Sequence, residues 1–441
     1  MNFNIWTRIR QQVYGCFSRS SDALFELVDA LTSESAARSL PELSQSPFFR
    51  RKCGSVYEAL EDGWIDASRW SGVWTQGLLA QHEGEVWVSI DSTGIARPEA
   101  ETSPDRGMIY VPNLPHATKP VSVGWQFSTV MLLPTTSSSW GAILSQRRIK
   151  SSETAVGVAI EQLRSLLPLL GASMRLLADR WYATGSFVAA CQQMGVGALM
   201  RLKRNRKLYR PAPPHSPGKR GAPRKDGDVF QGSRPETWGE PDAEFAGTDE
   251  GGKAIEVQAW HHLHFRQARE IEVTVFRVLR LGAHETKRDP RESWFVWIGP
   301  DQLPLTEVAS TYRRRFSHEH TYRFLKQDLS WTKARLRTPE QFERWSLVVA
   351  TAMNQLVLSR HLSQVLFRPW ERRRQGITPR QMCRVMGTLL VQVGTPTRRP
   401  QPRGKSPGRS QGSRSQPAQR YPVMRKTSKK RTKKQVLVAS P

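Results

Sequence analysis

The sequence predicts a mixed α/β core that carries a β-rich insertion before its last helical part. Three observations lead to this fold class. Strand-like and helix-like segments alternate between residues 85 and 203, β-rich segments dominate residues 254–298, and two long helical patterns follow. Alternating strands and helices are typical of a sheet with helices packed on it, and a run of strands inside such a pattern indicates an insertion.

Hydrophobic periodicity supports each element in turn. The first 80 residues are mostly helical in pattern, with apolar side chains such as Trp6, Leu24 and Leu27 at core-like spacing. The core segments that follow are the strands Glu85–Ile90 and Val121–Leu133, the helix Glu153–Leu170, the strand Arg175–Ala178, the helix Trp181–Met194 and the strand Gly197–Lys203. The remaining segments are the strands Ala254–Phe265, Ile271–Leu281 and Ser293–Ile298 and the helices Leu305–Leu329 and Pro339–Leu362.

Composition shifts divide this pattern into five regions. Ten Lys or Arg residues fall between Arg201 and Lys225, and a Pro- and Gly-rich, later acidic stretch follows, which marks the start of an insertion. The predicted regions are a helical N-terminal domain for DNA binding (1–80), the first part of the core (81–203), the β-rich insertion with its basic linker (204–300), the second part of the core (301–394) and a disordered basic tail (395–441).

Net charge points to a polyanionic partner. The chain has 66 Lys and Arg against 39 Asp and Glu, a net charge of +27, which suits nucleic acid and, less well, an anionic membrane surface. Residues 395–441 alone contribute 8 Arg and 6 Lys with no acidic residue. Such a segment cannot bury enough surface to fold, so it is either a phosphate-binding arm or a solubilising tail.

Several protein classes are excluded by composition. The 15 Trp, 16 Phe and 8 Tyr residues argue against disorder of the whole chain. No run of 18 apolar residues predicts a membrane span, and the opening MNFNIWTRIR lacks the apolar region of a secretory signal. Four scattered cysteines predict neither a disulfide framework nor a zinc site and suit a reducing cytoplasm.

Two aspartates share the same local pattern. Asp91 follows the predicted strand EVWVSI and precedes Ser-Thr-Gly, which suggests a turn, and Asp179 follows the strand RLLA and precedes a helix. A carboxylate at a strand end that faces a loop is a usual place for a metal ligand in α/β proteins. Either residue alone is more typical of a helix cap or a turn than of a catalytic site. The repeated pattern favours a shared catalytic site.

A third group lies in the predicted helix 305–329. Tyr312, Arg315, Glu319 and Lys326 are spaced so that they fall within about 60° of one another on a helix, and Arg323 shares their stripe. One carboxylate is therefore flanked by a phenol and by cations. The alternative is a solvated helix face in which Arg315 and Glu319 form an ordinary i,i+4 ion pair.

This spacing carries a family resemblance. Tyr312, Arg315, Glu319 and Lys326 match the Tyr-x2-Arg-x3-Glu-x6-Lys signature of bacterial insertion-sequence DDE transposases, the YREK class, with every spacing kept. The resemblance covers residues 86 to 329. It implies an RNase H-like fold, a mixed sheet flanked by helices, with a mainly β insertion between the second Asp and the Glu, where the β-rich region lies.

The resemblance also implies a site and a reaction. Asp91 and Asp179 would be the first and second aspartates and would ligate, with Glu319, two Mg²⁺ or Mn²⁺ ions. Such ions supply a nucleophile and a stabilised leaving oxygen for phosphodiester cleavage, and carboxylates suit them as ligands. Four residues would contact DNA: Tyr312, Arg315, Arg323 and Lys326. The partners would be terminal inverted repeats and target DNA, bound by a homodimer on paired ends, without a membrane or a nucleotide cofactor.

Two other functions compete with a transposase. One is a non-catalytic, domesticated DNA-binding relative, against which the intact acidic triad argues. The other is a nuclease of the same fold that cleaves DNA without strand transfer, and only its products would distinguish it. All three functions place the protein in the cytoplasm, with the DNA of the nucleoid.

Overall fold

The computed structural model describes residues 2–111, 120–136, 138–171, 173–214, 222–282, 291–362, 368, 370–371, 376–402, 408 and 410–425. The end of the predicted basic tail, after residue 425, lies outside these residues. So does part of the predicted basic linker, residues 215–221. Within the described part, no helix is long and apolar enough to cross a membrane.

The N-terminal region is helical, as predicted. Its helices are α1 (Phe3–Tyr14), α2 (Ser21–Ser33), α3 (Leu40–Leu43), α4 (Gly54–Asp62) and α5 (Ala67–Leu79), and two short strands, β1 (Phe17–Arg19) and β2 (Trp64–Ile65), pair between them. Trp6, Leu24 and Leu27 are fully buried, which confirms the core positions read from their spacing.

The core is a mixed sheet. Its strands are β3 (Trp87–Ala96), β4 (Gly107–Tyr110), β5 (Val121–Leu132), β6 (Ala142–Ile149), β7 (Arg175–Ala178) and β8 (Gly197–Arg201). The strand β3 lies between antiparallel β5 and parallel β7, and β8 extends the parallel part. Helices α6 (Ala155–Leu170) and α7 (Gly185–Met194) flank the sheet, and α7 makes the crossover that parallel β7 and β8 require.

The β-rich insertion continues this sheet. Its strands are β9 (Lys207–Tyr209), β10 (Val229–Gln231), β11 (Ala243–Thr248), β12 (Ala254–Phe265), β13 (Ala268–Arg280) and β14 (Glu292–Ile298). The strand β14 pairs antiparallel with β8, so the two sets of strands share one hydrogen-bonded ladder. A large mixed sheet flanked by helices confirms the predicted α/β fold class.

The last helices bring the chain back to the core. They are α8 (Leu305–Arg313), α9 (Phe316–Gln327), α10 (Pro339–Ser359) and α11 (Pro379–Val393). The prediction of one helix over residues 305–329 is wrong, because the chain leaves the α-helical pattern between α8 and α9. There the Arg315 and His318 N–H groups donate to the carbonyls three residues earlier, Tyr312 and Arg315, in place of the i,i+4 pattern.

Helix α10 connects the N-terminal helices to the core sheet. It is buried on nearly all sides and packs against α2 and β6. Its start is fixed by a capping box, in which the Thr338 side chain accepts from the Gln341 N–H and the Gln341 side chain accepts from the Thr338 N–H. The Asn354 side chain bonds the Ile143 backbone through both its oxygen and its nitrogen, at 2.7 Å each, which fixes α10 against β6.

Candidate active site

Asp91 and Asp179 occupy equivalent positions on neighbouring strands. In the parallel pair of β3 and β7, Ile90 lies opposite Ala178, and each aspartate is the next residue of its chain. Because side chains alternate between the two faces of a sheet, residues in matching register start out on the same face. The charge of Asp179 contributes to raising the pKa of Asp91, which places the two carboxylates within electrostatic range.

The predicted strand end at Asp91 is wrong. The strand β3 runs on to Ala96 and pairs with β5 along this whole stretch, with Asp91 opposite Thr129 and Ala96 opposite Gly124. The glycine that suggested a turn, Gly94, instead allows close packing, because a Cβ there would lie 3.0 Å from Ile109 Cδ1. The parallel partner β7 does end at this point, so no strand pairs with Asp91 on that side.

Arg315 joins two of the predicted site residues. Its Nη2 donates to Asp91 Oδ2 at 2.7 Å and its Nη1 donates to Glu319 Oε1 at 2.8 Å. The Arg315 side chain is only 9% exposed, whereas that of Glu319 is 51% exposed. The i,i+4 pair of the alternative interpretation therefore exists, but it continues inward to a buried contact with the core sheet.

The charges of these groups depend on one another. Burial raises the pKa of Asp91, the Arg315 guanidinium opposes this shift, and Asp179 and Glu319 add to it. Burial by itself would lower the pKa of Arg315, but Tyr312 and the three carboxylates hold it above its ordinary value. A concentrated negative charge is thus compensated by one buried cation, which in turn needs the carboxylates.

The other signature residues contact the backbone beside the aspartates. Tyr312 Oη donates to the Ala178 carbonyl at 3.4 Å, and burial raises the pKa of this phenol to about 12. Lys326 Nζ donates to Thr93 Oγ1 at 2.6 Å and to the Gly94 carbonyl at 3.4 Å. Both residues therefore tie the helices α8 and α9 to the two aspartate strands.

Arg323 stands apart from this group. It is exposed and forms no ion pair with a described residue. Its position next to Glu319 on α9, one helical turn later, leaves its charge available to a partner outside the chain.

Sequence reasoning did not find the contacts that surround Asp91 and its strand. Tyr322 Oη donates to the Asp91 carbonyl at 3.0 Å, and His318 bonds Ser89 through its Nδ1 at 2.7 Å. Burial, with a contribution from Arg315, lowers the pKa of His318 well below its ordinary value, so this ring is neutral and structural. The i,i+3 spacing of Tyr322 from Glu319 was the available signal.

An exposed tryptophan lies two residues after Asp179. Trp181 is 64% exposed, and Lys203 Nζ lies 3.5 Å from the centroid of its ring. Burial lowers the pKa of Lys203, Arg206 and Arg180 lower it further, and the charge of Asp179 opposes them, so Lys203 lies within electrostatic range of this aspartate. By contrast, Trp260, Trp294 and Trp297 of the insertion are buried in the core.

The donor set fits a hard divalent cation in its chemistry. Three carboxylates whose charges oppose one another's ionisation are a destabilising arrangement that a bound Mg²⁺ or Mn²⁺ would relieve. Among the described residues, however, no three His, Cys, Asp or Glu side chains converge closely enough to hold a metal ion. Instead, Arg315 provides the positive charge between Asp91 and Glu319.

A sheet of this topology with acidic residues in matching register on adjacent strands defines a candidate nuclease-type site, and comparison with known proteins agrees. A family model described as DDE superfamily endonuclease matches residues 12–267, more than half of the chain, and the chain belongs to this family. The matched range contains Asp91 and Asp179, whereas Glu319 follows it.

The comparison with solved structures gives a distant neighbour. A piggyBac transposase in a synaptic complex with hairpin DNA, determined by cryo-EM, is similar over 86% of this chain and 73% of that chain, with 10% identity and a TM-score of 0.43. No curated protein sequence matches the chain.

Proposed function

We propose that the chain is a DNA transposase of the YREK-signature class, and that Asp91, Asp179 and Glu319 form the site that cleaves DNA. The observation that carries this proposal is the pair of aspartates in matching register, with Arg315 linking Asp91 to Glu319. Membership of the DDE superfamily endonuclease family supports the DNA-cleaving part of the proposal. The net charge of +27 supports DNA as the substrate.

In this proposal the carboxylates of Asp91, Asp179 and Glu319 would hold two Mg²⁺ or Mn²⁺ ions. Such ions would activate a water or a 3′-OH as the nucleophile and would stabilise the leaving oxygen. Glu319 is half exposed and can reorient, whereas Asp91 is held by the Ser92 N–H and by Tyr322. Asp91 is thus the fixed part of the site and Glu319 is the adaptable part.

The cations of the site have distinct roles in this proposal. Arg315 balances the carboxylates and, being able to donate two parallel hydrogen bonds, can transfer one of them to a DNA phosphate. Lys326 lies beside Thr93 and Gly94, where β3 extends beyond Asp91, and there it can hold the phosphate next to the cleaved bond. Arg323 contacts DNA from the exposed side of α9. Tyr312 positions the Ala178 carbonyl, directly before Asp179.

Transposition needs strand transfer after cleavage. The freed 3′-OH attacks a target phosphodiester, so one P–O bond forms while another breaks and the leaving strand carries the proton. A homodimer on paired terminal repeats would present both ends to one target, and the helical N-terminal domain would bind these repeats. The strongest competing function is a same-fold nuclease that stops after hydrolysis.

The test uses DNA that flanks the gene. A linear fragment carrying one such end is incubated with the full-length protein, Mg²⁺ and a supercoiled target plasmid, and the products are sequenced. We expect the 3′ end of the fragment to be covalently joined to a 5′ phosphate of the plasmid, with a free plasmid 3′-OH left at the join. Cleaved fragment with no joined product would support the nuclease, and no cleavage in Mg²⁺ or Mn²⁺ would support the non-catalytic relative.

A further inference from the structure

Part of the C-terminal tail lies along the edge of the core sheet. The Met424 N–H donates to the Arg106 carbonyl at 2.7 Å, and Met424 and Gly107 form a parallel β-bridge. Three residues earlier, the Tyr421 N–H donates to the Glu101 carbonyl at 2.9 Å. A segment without any acidic residue thus forms a single β-bridge with the first residue of β4.

The edge of β4 is suited to receive an added strand. One side of β4 pairs with β5, and among the described strands no other pairs with its second side. An open strand edge presents N–H and C=O groups that favour pairing with an extended segment. Arg420 adds an ion pair with Glu101 at 3.2 Å, so the contact is fixed at more than one point.

A buried arginine completes the receiving surface. Arg106 is 2% exposed, and its guanidinium donates to the carbonyls of Ser103, Arg97 and Pro98, each at 3.1 Å. A further N–H, on Nη2, points to the Tyr421 carbonyl at 3.4 Å. Because a buried donor without a partner is costly, the tail carbonyl completes a site that the loop has already built.

We propose that residues 420–424 dock on the edge of β4 to hold the basic sequence that follows them against the phosphates of bound DNA. Seven of the ten residues 425–434 are Lys or Arg. Docking gives this basic sequence a fixed starting point on the sheet that carries Asp91. This inference rests on the proposed function only in assuming that DNA lies at Asp91.

The register of the sheet sets where the arm begins. Gly107 lies opposite Gly124 of β5, and Asp91 lies opposite Thr129 of the same strand. Gly124 and Thr129 are five residues apart on β5, a distance of about 17 Å along the strand. At the bridge the tail runs parallel to β4, away from the strand position of Asp91, so the arm starts about 17 Å from that position.

The test separates position from charge in the full-length protein. Met424→Pro removes the docking N–H without changing any charge, and Ser415→Pro makes the same change at an exposed residue of the same tail. A separate charge variant, K429Q/K430Q/K433Q/K434Q, removes four positive charges and leaves residues 420–424 unchanged. Affinity for a 30-base-pair duplex is measured against salt in EDTA, and hydrogen–deuterium exchange is measured in residues 420–425.

We expect Met424→Pro to weaken DNA binding about three- to tenfold, because the effective concentration of the arm near the DNA falls. In the glutamine variant, the slope of log K against log[salt] should become shallower by about 0.9 for each phosphate that is no longer bound. Adding Met424→Pro to the glutamine variant should weaken binding little further. Exchange in residues 420–425 should be slow in the wild type and in Ser415→Pro, and fast in Met424→Pro.

Three results would overturn the inference. Fast exchange of residues 420–425 in the wild type would show that they do not dock. Unchanged affinity in Met424→Pro would show that the arm acts without docking, and tighter binding would show that docking restrains the arm. All of these differ from failure of the proposed function, in which the wild type would bind the duplex but not cleave it.

Discussion

The guanidinium of Arg315 donates to Asp91 at 2.7 Å across 224 residues of sequence, and it donates to Glu319 one helical turn later. The contact with Asp91 is almost completely buried on the Arg315 side. It connects α9, which carries the predicted catalytic glutamate, to the strand that carries the first aspartate. Arg315 therefore holds the site together as well as balancing its charge.

Arg315→Ala should destabilise the metal-free protein. Removing one partner of a buried ion pair typically costs about 3–5 kcal/mol, because it leaves a buried charge uncompensated. Added Mn²⁺ should recover part of this loss, since it provides the missing positive charge. Thermal melting with and without Mn²⁺ measures both effects.

Arg323→Ala is the matched control for that experiment. It removes the same side chain from the same helix region but at an exposed position, where a change within about 0.5 kcal/mol is expected. Equal melting curves for the two variants would mean that the contact of Arg315 with Asp91 contributes no stability.

Trp181→Ala should weaken binding of single-stranded DNA. One face of this exposed ring is covered by Lys203, and a base can stack on the other. Removing one base–aromatic stack costs about 1–3 kcal/mol, or about five- to 150-fold in affinity. Fluorescence anisotropy with labelled oligo(dT) measures this change, and Trp181→Phe should retain most of the affinity.

Trp370 offers a comparison of the same kind. It is 75% exposed and has Arg368 over its ring at 5.6 Å, but its chain neighbours include no predicted site residue. Trp370→Ala should leave oligo(dT) binding unchanged. A decrease as large as that of Trp181→Ala would mean that exposed tryptophans bind DNA without regard to the site.

The insertion should lose stability in acid through Asp226. Hydrogen bonds from Arg269 and His264 lower the pKa of this carboxyl from 3.8 to about 2. The stabilisation is therefore present above the unfolded value near 3.8 and is lost as the pH falls towards 2. Urea unfolding should show Asp226→Asn less stable than the wild type at pH 6, with the difference shrinking below about pH 4.

Asp228→Asn serves as the control for this prediction, because Asp228 is 86% exposed and only two residues away. The stability of Asp228→Asn to urea should equal that of the wild type at both ends of the pH range. A constant difference between Asp226→Asn and the wild type from about pH 6 to about pH 3 would rule out the titration of Asp226 as the cause.

Periodicity predicted the elements whose pattern matches their burial. The strand Ala254–Phe265 was predicted with its observed bounds, because its first half alternates buried Ile255, Val257 and Ala259 with polar residues and its second half is rich in aromatic residues. The continuation of β3 past Asp91 could not be predicted, since Gly94 suggests a turn and its real role depends on Ile109 from another strand. The break between α8 and α9 has no Gly or Pro to signal it.

The site was predictable in its residue types but not in its contacts. The spacing of Arg315 and Glu319 indicated their i,i+4 pair, and the structure has it. The second contact of Arg315, with Asp91, joins segments far apart in the sequence and depends on the sheet register. Docking of the tail was equally hidden, because a backbone contact leaves no signal in a segment of low apolar content.

The proposed function depends on Asp91, Asp179 and Glu319 forming one cleavage centre. The decisive measurement is nicking of supercoiled plasmid in Mg²⁺ or Mn²⁺ by Asp91→Asn, Asp179→Asn and Glu319→Gln, each compared with Asp301→Asn, a carboxylate that is 73% exposed on its side chain. We expect the three variants to bind the plasmid as the wild type does and to nick it at least about a hundredfold more slowly, a barrier increase of about 2.7 kcal/mol. Nicking at the wild-type rate by any one of the three would refute a centre built from all three carboxylates.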